Sequence, residues 1–245
     1  MSTANQSLAE RVQVVSQRAI DEGRLVGSVV LVAQRGEVVY AGAAGYADRE
    51  LQRPMRRETQ FRLSSVSKPY ITLAAMRMIE RQKLSLDDAV SRWLPWFTPA
   101  LADGRRLEIK IRHLLSHTAG LDYRLNQPAD GPYQRLGIQD GMELSSLTLE
   151  QNLRLLAQAE LLAEPGSAFN YSLAIDVLGA VLEQVAGRAV AAGVRTLGRT
   201  AVEAGQYRFL HHRCRQPGDR LSRYQRQAGA DTRGDAADAA GRFWF

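Results

Sequence analysis

Beyond Gly187 the chain almost runs out of aliphatic side chains, and this confines any packed core to its first three quarters. Residues 188–245 hold only six Val, Leu, Ile or Met: Val190, Val194, Leu197, Val202, Leu210 and Leu221. They recur at neither period 2 nor period 3.6, so they make neither a strand face nor a helix stripe. A segment so poor in aliphatics buries too little surface to offset the entropy of ordering it. Residues 1–187 keep regular apolar patterning and are the expected folded domain, with residues 188–245 a separate tail.

Charge divides at the same place. Residues 1–187 carry 21 Lys+Arg against 21 Asp+Glu, whereas residues 188–245 carry 11 Arg and 5 acidic residues, which is the whole net charge of +6. The basic character belongs to the tail. No run of 18 apolar residues occurs, which argues against a membrane span. The opening Met-Ser-Thr-Ala-Asn-Gln-Ser lacks the basic and apolar regions of a secretory signal. A single cysteine, Cys214, leaves no intrachain disulfide and fits a reducing compartment, so the expected location is cytoplasmic.

Within the first part, residues 7–22 place Leu8, Val12, Val15 and Ala19 on one helical face. Residues 28–34 and 38–45 read as a β-hairpin around Arg35-Gly36-Glu37, with glycine where φ > 0 is needed. A helix is predicted from about Ser65 to Gln82, with Pro69 tolerated in its first turn. Leu84-Ser85-Leu86-Asp87-Asp88 is predicted to open another short helix, with Ser85 or Asp87 as its cap. A further helix covers residues 109–116 and ends at Gly120. Residues 122–146 read as a long loop with small helices, residues 148–160 as a helix capped by Thr148, Pro165-Gly166 as a turn, and residues 172–186 as a strongly apolar helix.

The chemistry concentrates in Ser65-Val66-Ser67-Lys68. On a helix, residues i and i+3 share a face about 5–6 Å apart at Cβ, so the Lys68 amine can reach the Ser65 hydroxyl. A serine hydroxyl attacks only when a base takes its proton. A lysine can be that base where burial and neighbouring positive charge favour its neutral form. A helix N-terminus adds positive potential at the nucleophile. The neighbouring Ser64 and Ser67 read as a cap and a surface hydroxyl. His113 and His117 stand at i, i+4, but without the Glu of H-E-x-x-H or a nearby third ligand no metal site is expected. There is no G-x-S-x-G elbow, no G-x-G-x-x-G and no G-x-x-x-x-G-K-[ST].

Four stretches occur in order: Phe61 to Tyr70 around the Ser-x-x-Lys motif; Leu84 to Asp88; Ile111-Arg112-His113-Leu114-Leu115-Ser116-His117-Thr118-Ala119-Gly120-Leu121; and Pro165-Gly166-Ser167-Ala168-Phe169-Asn170-Tyr171-Ser172. Together they resemble the serine β-lactamase and penicillin-recognising enzyme superfamily, in the branch of the class C β-lactamases, family VIII carboxylesterases and DD-peptidases. The resemblance covers roughly residues 7–187. It implies an α+β fold, an antiparallel sheet flanked by helices with a helical subdomain holding Ser65, incomplete at the C-terminus. It implies that Ser65 is acylated, that Lys68 is the base or proton-sharing partner, and that Tyr171 relays the proton to the leaving group and later activates water. The Ser65 backbone N–H would be half of the oxyanion hole. No metal or organic cofactor is implied.

The family's Tyr-x-Asn reads Tyr171-Ser172-Leu173 here. The missing Asn binds the amide side chain of β-lactams, and Leu173 at this substrate-facing place is similar to esterase-like members. The expected substrate is therefore a small carboxylic ester or amide, with esters favoured over β-lactams. The oligomeric state is not encoded in any of these features.

The resemblance also requires a late edge strand with Lys/His/Trp-x-Gly, and residues 188–245 show none. A shift of reading frame beginning near Gly187 or Arg188 would account for this, and Ala189 to Gly193, Phe209 to Cys214 and Ala228 to Thr232 all fit the same shift. Codons for Phe209 to Cys214, read one nucleotide later, can encode Phe-Phe-Ile-Thr-Asp-Ala, as members of the family carry after their tyrosine helix. On that account the chain is an impaired hydrolase or a non-catalytic fragment. The rival account makes the Arg- and aromatic-containing tail a nucleic-acid-binding arm, but its arginines form neither clusters nor stripes.

Overall fold

A computed structural model describes residues 7–61, 63–142 and 145–187; the tail assigned above to residues 188–245 lies outside them. The chain divides into two units, one ending at Leu63 and the other beginning at Ser64.

In the first unit Ser7 and Glu10 close a capping box, each side chain bonded to the other's backbone N–H. This starts α1 (Leu8–Asp21). The strands β1 (Gly27–Gln34) and β2 (Glu37–Asp48) pair antiparallel, and a short β3 (Arg53–Pro54) extends the sheet to the order β1-β2-β3. The hairpin turn uses positive φ at both Arg35 (54°) and Gly36 (87°), the twist that suits a two-residue connection. α1 packs on β2, and Gly45 makes the approach possible, since a Cβ there would lie 2.9 Å from Ile20 Cδ1. The apolar face expected on α1 is only partly used. Ala19 is buried, but Val15 is 57% exposed.

The second unit starts with a 3-10 turn, Ser64–Ser67, that runs into α2 (Lys68–Glu80) with Pro69 in the first turn. Short helices α3 (Val90–Trp93), α4 (Ile111–Leu115) and α5 (Pro132–Arg135) follow, then α6 (Leu149–Leu156) and α7 (Ala174–Ala186). The short helix expected to open from residues 84–88 is found, but neither Ser85 nor Asp87 caps it. Asp88 turns back onto the Ser85 N–H (2.9 Å) and Ser85 Oγ accepts from the Asp87 N–H (3.3 Å). Local side-chain bonds thus compete with helix formation, and the helix begins only at Val90.

α7 is the centre of this unit. It packs on α2, α3, α4 and α6, and nine successive residues from Ala174 to Leu182 are buried. Its partners include Ile71, Ala75, Ile111, Leu114, Leu153 and Leu156. Each fully buried aliphatic side chain of this kind contributes about 1.5–3 kcal/mol. The buried Asn152 is satisfied on both sides, accepting from the Gln139 N–H and donating to the Gln139 carbonyl, each at 2.8 Å. Gly187 ends α7 in the left-handed conformation, φ 62°.

Candidate active site

Ser65 sits on the 3-10 turn with its side chain in solvent, and Lys68, one turn on, is buried, only 6% exposed. The residue before the serine, Ser64, has φ +46°, an uncommon conformation for a non-glycine residue. Lys68 Nζ donates to Ser65 Oγ at 3.4 Å. This is a long, weak hydrogen bond. The amine lies 5.2 Å from the Tyr171 ring centroid and 5.6 Å from that of Tyr123, both within cation–π range. The structure therefore brings Ser65, Lys68 and Tyr171 together across more than a hundred residues of sequence.

The Tyr171 segment is laid against residues 117–122 by backbone pairing. The Gly166 N–H donates to the Thr118 carbonyl (2.7 Å) and the Asn170 N–H to the His117 carbonyl (2.8 Å). Asn170 Nδ2 adds bonds to the Leu121 carbonyl (2.7 Å) and to Asp122 Oδ1 (3.1 Å). The Asp122 carboxylate also accepts from Asn126 (2.9 Å) and Gln127 (2.6 Å). Burial alone would raise the Asp122 carboxyl, but the bonds from Asn126, Gln127, the Tyr123 backbone and Asn170 outweigh it and hold it below its ordinary range. A charged Asp122 thus anchors both tyrosine-bearing segments, since it precedes Tyr123 and binds the neighbour of Tyr171.

Tyr123 and Tyr171 have ring centroids 5.6 Å apart. Burial first, then the negative charge of Asp176 on α7, pushes the Tyr123 phenol well above its usual range. Tyr123 stays protonated and is a hydrogen-bond donor at the site. Tyr171 is 40% exposed, so of the two phenols it is the one open to a reacting group.

Asp122 and Tyr123 were not read from the sequence, and their one available signal was position just after the Ile111 to Leu121 stretch. Asn170 and His117 stood inside stretches already singled out, His117 also as half of a metal pair, but the bond between them was not anticipated. Leu173 is a correction. It is 0% exposed, precedes α7 and packs in the core, so it presents no surface to a substrate. An apolar side chain next to a fully buried helix is drawn into the core, whatever a motif alignment assigns to it.

The two histidines go separate ways. His113 Nδ1 accepts from the Lys110 N–H at 3.2 Å, and His117 Nδ1 from the Ser172 N–H at 3.2 Å. Among the described residues no three or more His, Cys, Asp or Glu gather as a metal site would need. None of their helices is long and apolar enough to cross a membrane. A cavity of about 280 Å³ is lined by Trp93, Trp96, Glu150 and Glu183, among others, and none of Ser65, Lys68 or Tyr171 lines it.

The chain belongs to the beta-lactamase family. The family described as Beta-lactamase matches residues 8–237, and the fold is of the β-lactamase/transpeptidase kind, an antiparallel sheet with helices. The chain is 52% identical over 191 residues to Esterase EstB of Burkholderia gladioli, covering 78% of this chain and 49% of EstB. It is similar to a solved structure described as "EstCE1, a hydrolase with promiscuous acyltransferase activity", with TM-score 0.79 and 77% identity, covering 82% of this chain and 53% of that one. An octameric penicillin-binding protein homologue from Pyrococcus abyssi shares the fold at TM-score 0.60 and 22% identity, over 79% of this chain and 42% of that one. The chain spans about half the length of the curated relatives and solved structures it matches.

Proposed function

We propose that this chain carries the acylating half of a serine hydrolase acting on carboxylic esters, with Ser65 as nucleophile and Lys68 and Tyr171 as proton carriers. The observation that carries this reading is a buried amine 3.4 Å from a solvent-facing serine hydroxyl and 5.2 Å from a phenol ring. In the acylation step Ser65 Oγ attacks the ester carbonyl carbon and its proton passes to Lys68 Nζ. The C–O bond to the leaving alcohol then breaks, and the alkoxide takes a proton through Tyr171. In the second step water attacks the acyl carbon through the same groups, the bond to Ser65 Oγ breaks, and the carboxylic acid leaves with the serine proton restored. Proton transfer of this kind contributes about 10²–10⁴ in rate.

The ester preference no longer draws support from Leu173. It rests on the likeness to EstB and EstCE1, an esterase and a hydrolase by their descriptions. The Ser65 N–H is the proposed oxyanion donor. Removing one such donor typically costs about 10²–10³ in kcat; acylation of Ser65 is the direct readout of this half of the reaction.

A fluorophosphonate probe is expected to label Ser65, and Ser65→Ala is expected to abolish both the label and any hydrolysis of a 4-nitrophenyl ester. Ester turnover that survives Ser65→Ala would refute the assignment.

A further inference from the structure

The chemistry above leaves His117 unused, yet His117 touches the Tyr171 segment at three points. The Asn170 N–H donates to its carbonyl at 2.8 Å. The Ser172 N–H donates to its Nδ1 at 3.2 Å. Its ring lies against the phenol between those two residues, centroids 4.6 Å apart and tilted by 39°. Both neighbours of Tyr171 are therefore bonded to one residue, and the side chain between them rests on that residue's ring.

His117 does this from a left-handed backbone, φ +52°. Among residues with a Cβ, Asn, Asp and His are the ones enriched there. A neutral imidazole that accepts at Nδ1 carries its proton on Nε2. Burial first, and the charge of Lys68 second, lower the His117 pKa below its ordinary value, which keeps the acceptor available at neutral pH. The other ionisable groups nearby are Tyr171, stacked on the ring, and Tyr123, against Tyr171. Asp122 acts on the same segment through Asn170.

We infer that His117 is the positioning residue for Tyr171: its carbonyl and Nδ1 fix the backbone on either side of the tyrosine, so that the phenol stays over Lys68 Nζ. The consequence for chemistry rests on the acyl-transfer reading of Ser65, Lys68 and Tyr171; the clamp itself is a matter of hydrogen bonds.

The two contributions of His117, left-handed backbone and side-chain acceptor, separate in a pair of variants of the full chain. His117→Gly adopts φ +52° without strain but offers no acceptor. His117→Asn tolerates that conformation and supplies Oδ1 close to where Nδ1 stood. Two readouts are taken: the rate of Ser65 labelling by a fluorophosphonate, and the NMR signals of the Ser172 amide and Tyr171 ring, which need no reactivity. A misplacement of about 1 Å can cost 10²-fold. His117→Gly is therefore expected to label about 10–100-fold more slowly, and His117→Asn to stay within about threefold of the parent. The Ser172 amide proton is expected to move upfield in His117→Gly and to recover in His117→Asn.

Equal labelling of the Gly and Asn variants would overturn the positioning role, as would a Ser172 amide and Tyr171 ring unchanged in His117→Gly. Should the parent chain fail to label at Ser65, the acyl-transfer reading falls, and the NMR comparison alone still decides whether the clamp exists.

Discussion

Lys68→Met is expected to slow Ser65 labelling by about 10²–10⁴ at neutral pH while leaving the thermal unfolding midpoint unchanged or slightly raised. Lys68 is buried, so most of its stem is packing surface. Methionine is unbranched and adapts to irregular space, so it can fill that volume. Replacing a buried ammonium by an apolar group of similar size is often neutral or stabilising. What methionine cannot do is exchange a proton with Ser65 Oγ, the polar atom 3.4 Å away. Lys68→Arg sharpens the test. Arginine keeps the positive charge and the donor but cannot give up its proton in a protein. If the amine acts as a base, Arg fails as Met does; if it acts only through its charge, Arg retains most of the labelling. Labelling by the Met variant within about threefold of the parent would mean that Ser65 is activated some other way.

The parts of this site that were legible in the sequence are those set by local geometry. Ser65 and Lys68 meet because three residues of helical backbone put them on one face, even though the serine lies on a 3-10 turn rather than in α2 itself. Tyr171 is a different case. Its approach depends on hydrogen bonds between segments about fifty residues apart, such as Asn170 to His117 and to Asp122. No periodicity encodes such pairings, and only the order of motifs pointed to it. His117 was weighed as half of a metal pair from its spacing to His113, but spacing is blind to the positive φ that turns its carbonyl and ring to the same task. Leu173 shows the opposite error, where a motif register outweighed the plain expectation that leucine beside an apolar helix goes inward. The hairpin, α2, α6 and α7 were anticipated from their apolar patterning together with local signals such as Gly36 in the hairpin turn, Pro69 in the first turn of α2 and Thr148 before α6. The short helix opening from residues 84–88 was anticipated but its start was not, because Ser and Asp serve turns as readily as helix caps.

The largest effect on folding is expected from Gly120→Ala, and its comparison with Gly104→Ala shows why. Both glycines have positive φ, +76° and +84°. At Gly104 a Cβ would meet nothing within 4 Å, so alanine there costs only the left-handed backbone, about 1–2 kcal/mol. At Gly120 the same Cβ would lie 2.3 Å from the Ala163 carbonyl oxygen, which belongs to backbone and cannot swing aside as a side chain could. The close approach is also bonded, since the Leu162 N–H donates to the Gly120 carbonyl at 2.8 Å. An alanine would have to push residues 161–163 away, breaking that bond and displacing the chain that leads through Gly166 to Tyr171. Gly120→Ala is therefore expected to cost roughly 2–4 kcal/mol beyond the backbone term. It should also reduce Ser65 labelling under conditions where the protein is still folded. Urea unfolding followed by circular dichroism, with labelling measured on the folded fraction, separates the two effects. Equal destabilisation by Gly104→Ala and Gly120→Ala would show that the approach to Ala163 relaxes freely, and that the path from Gly120 to Tyr171 does not hold the phenol in place.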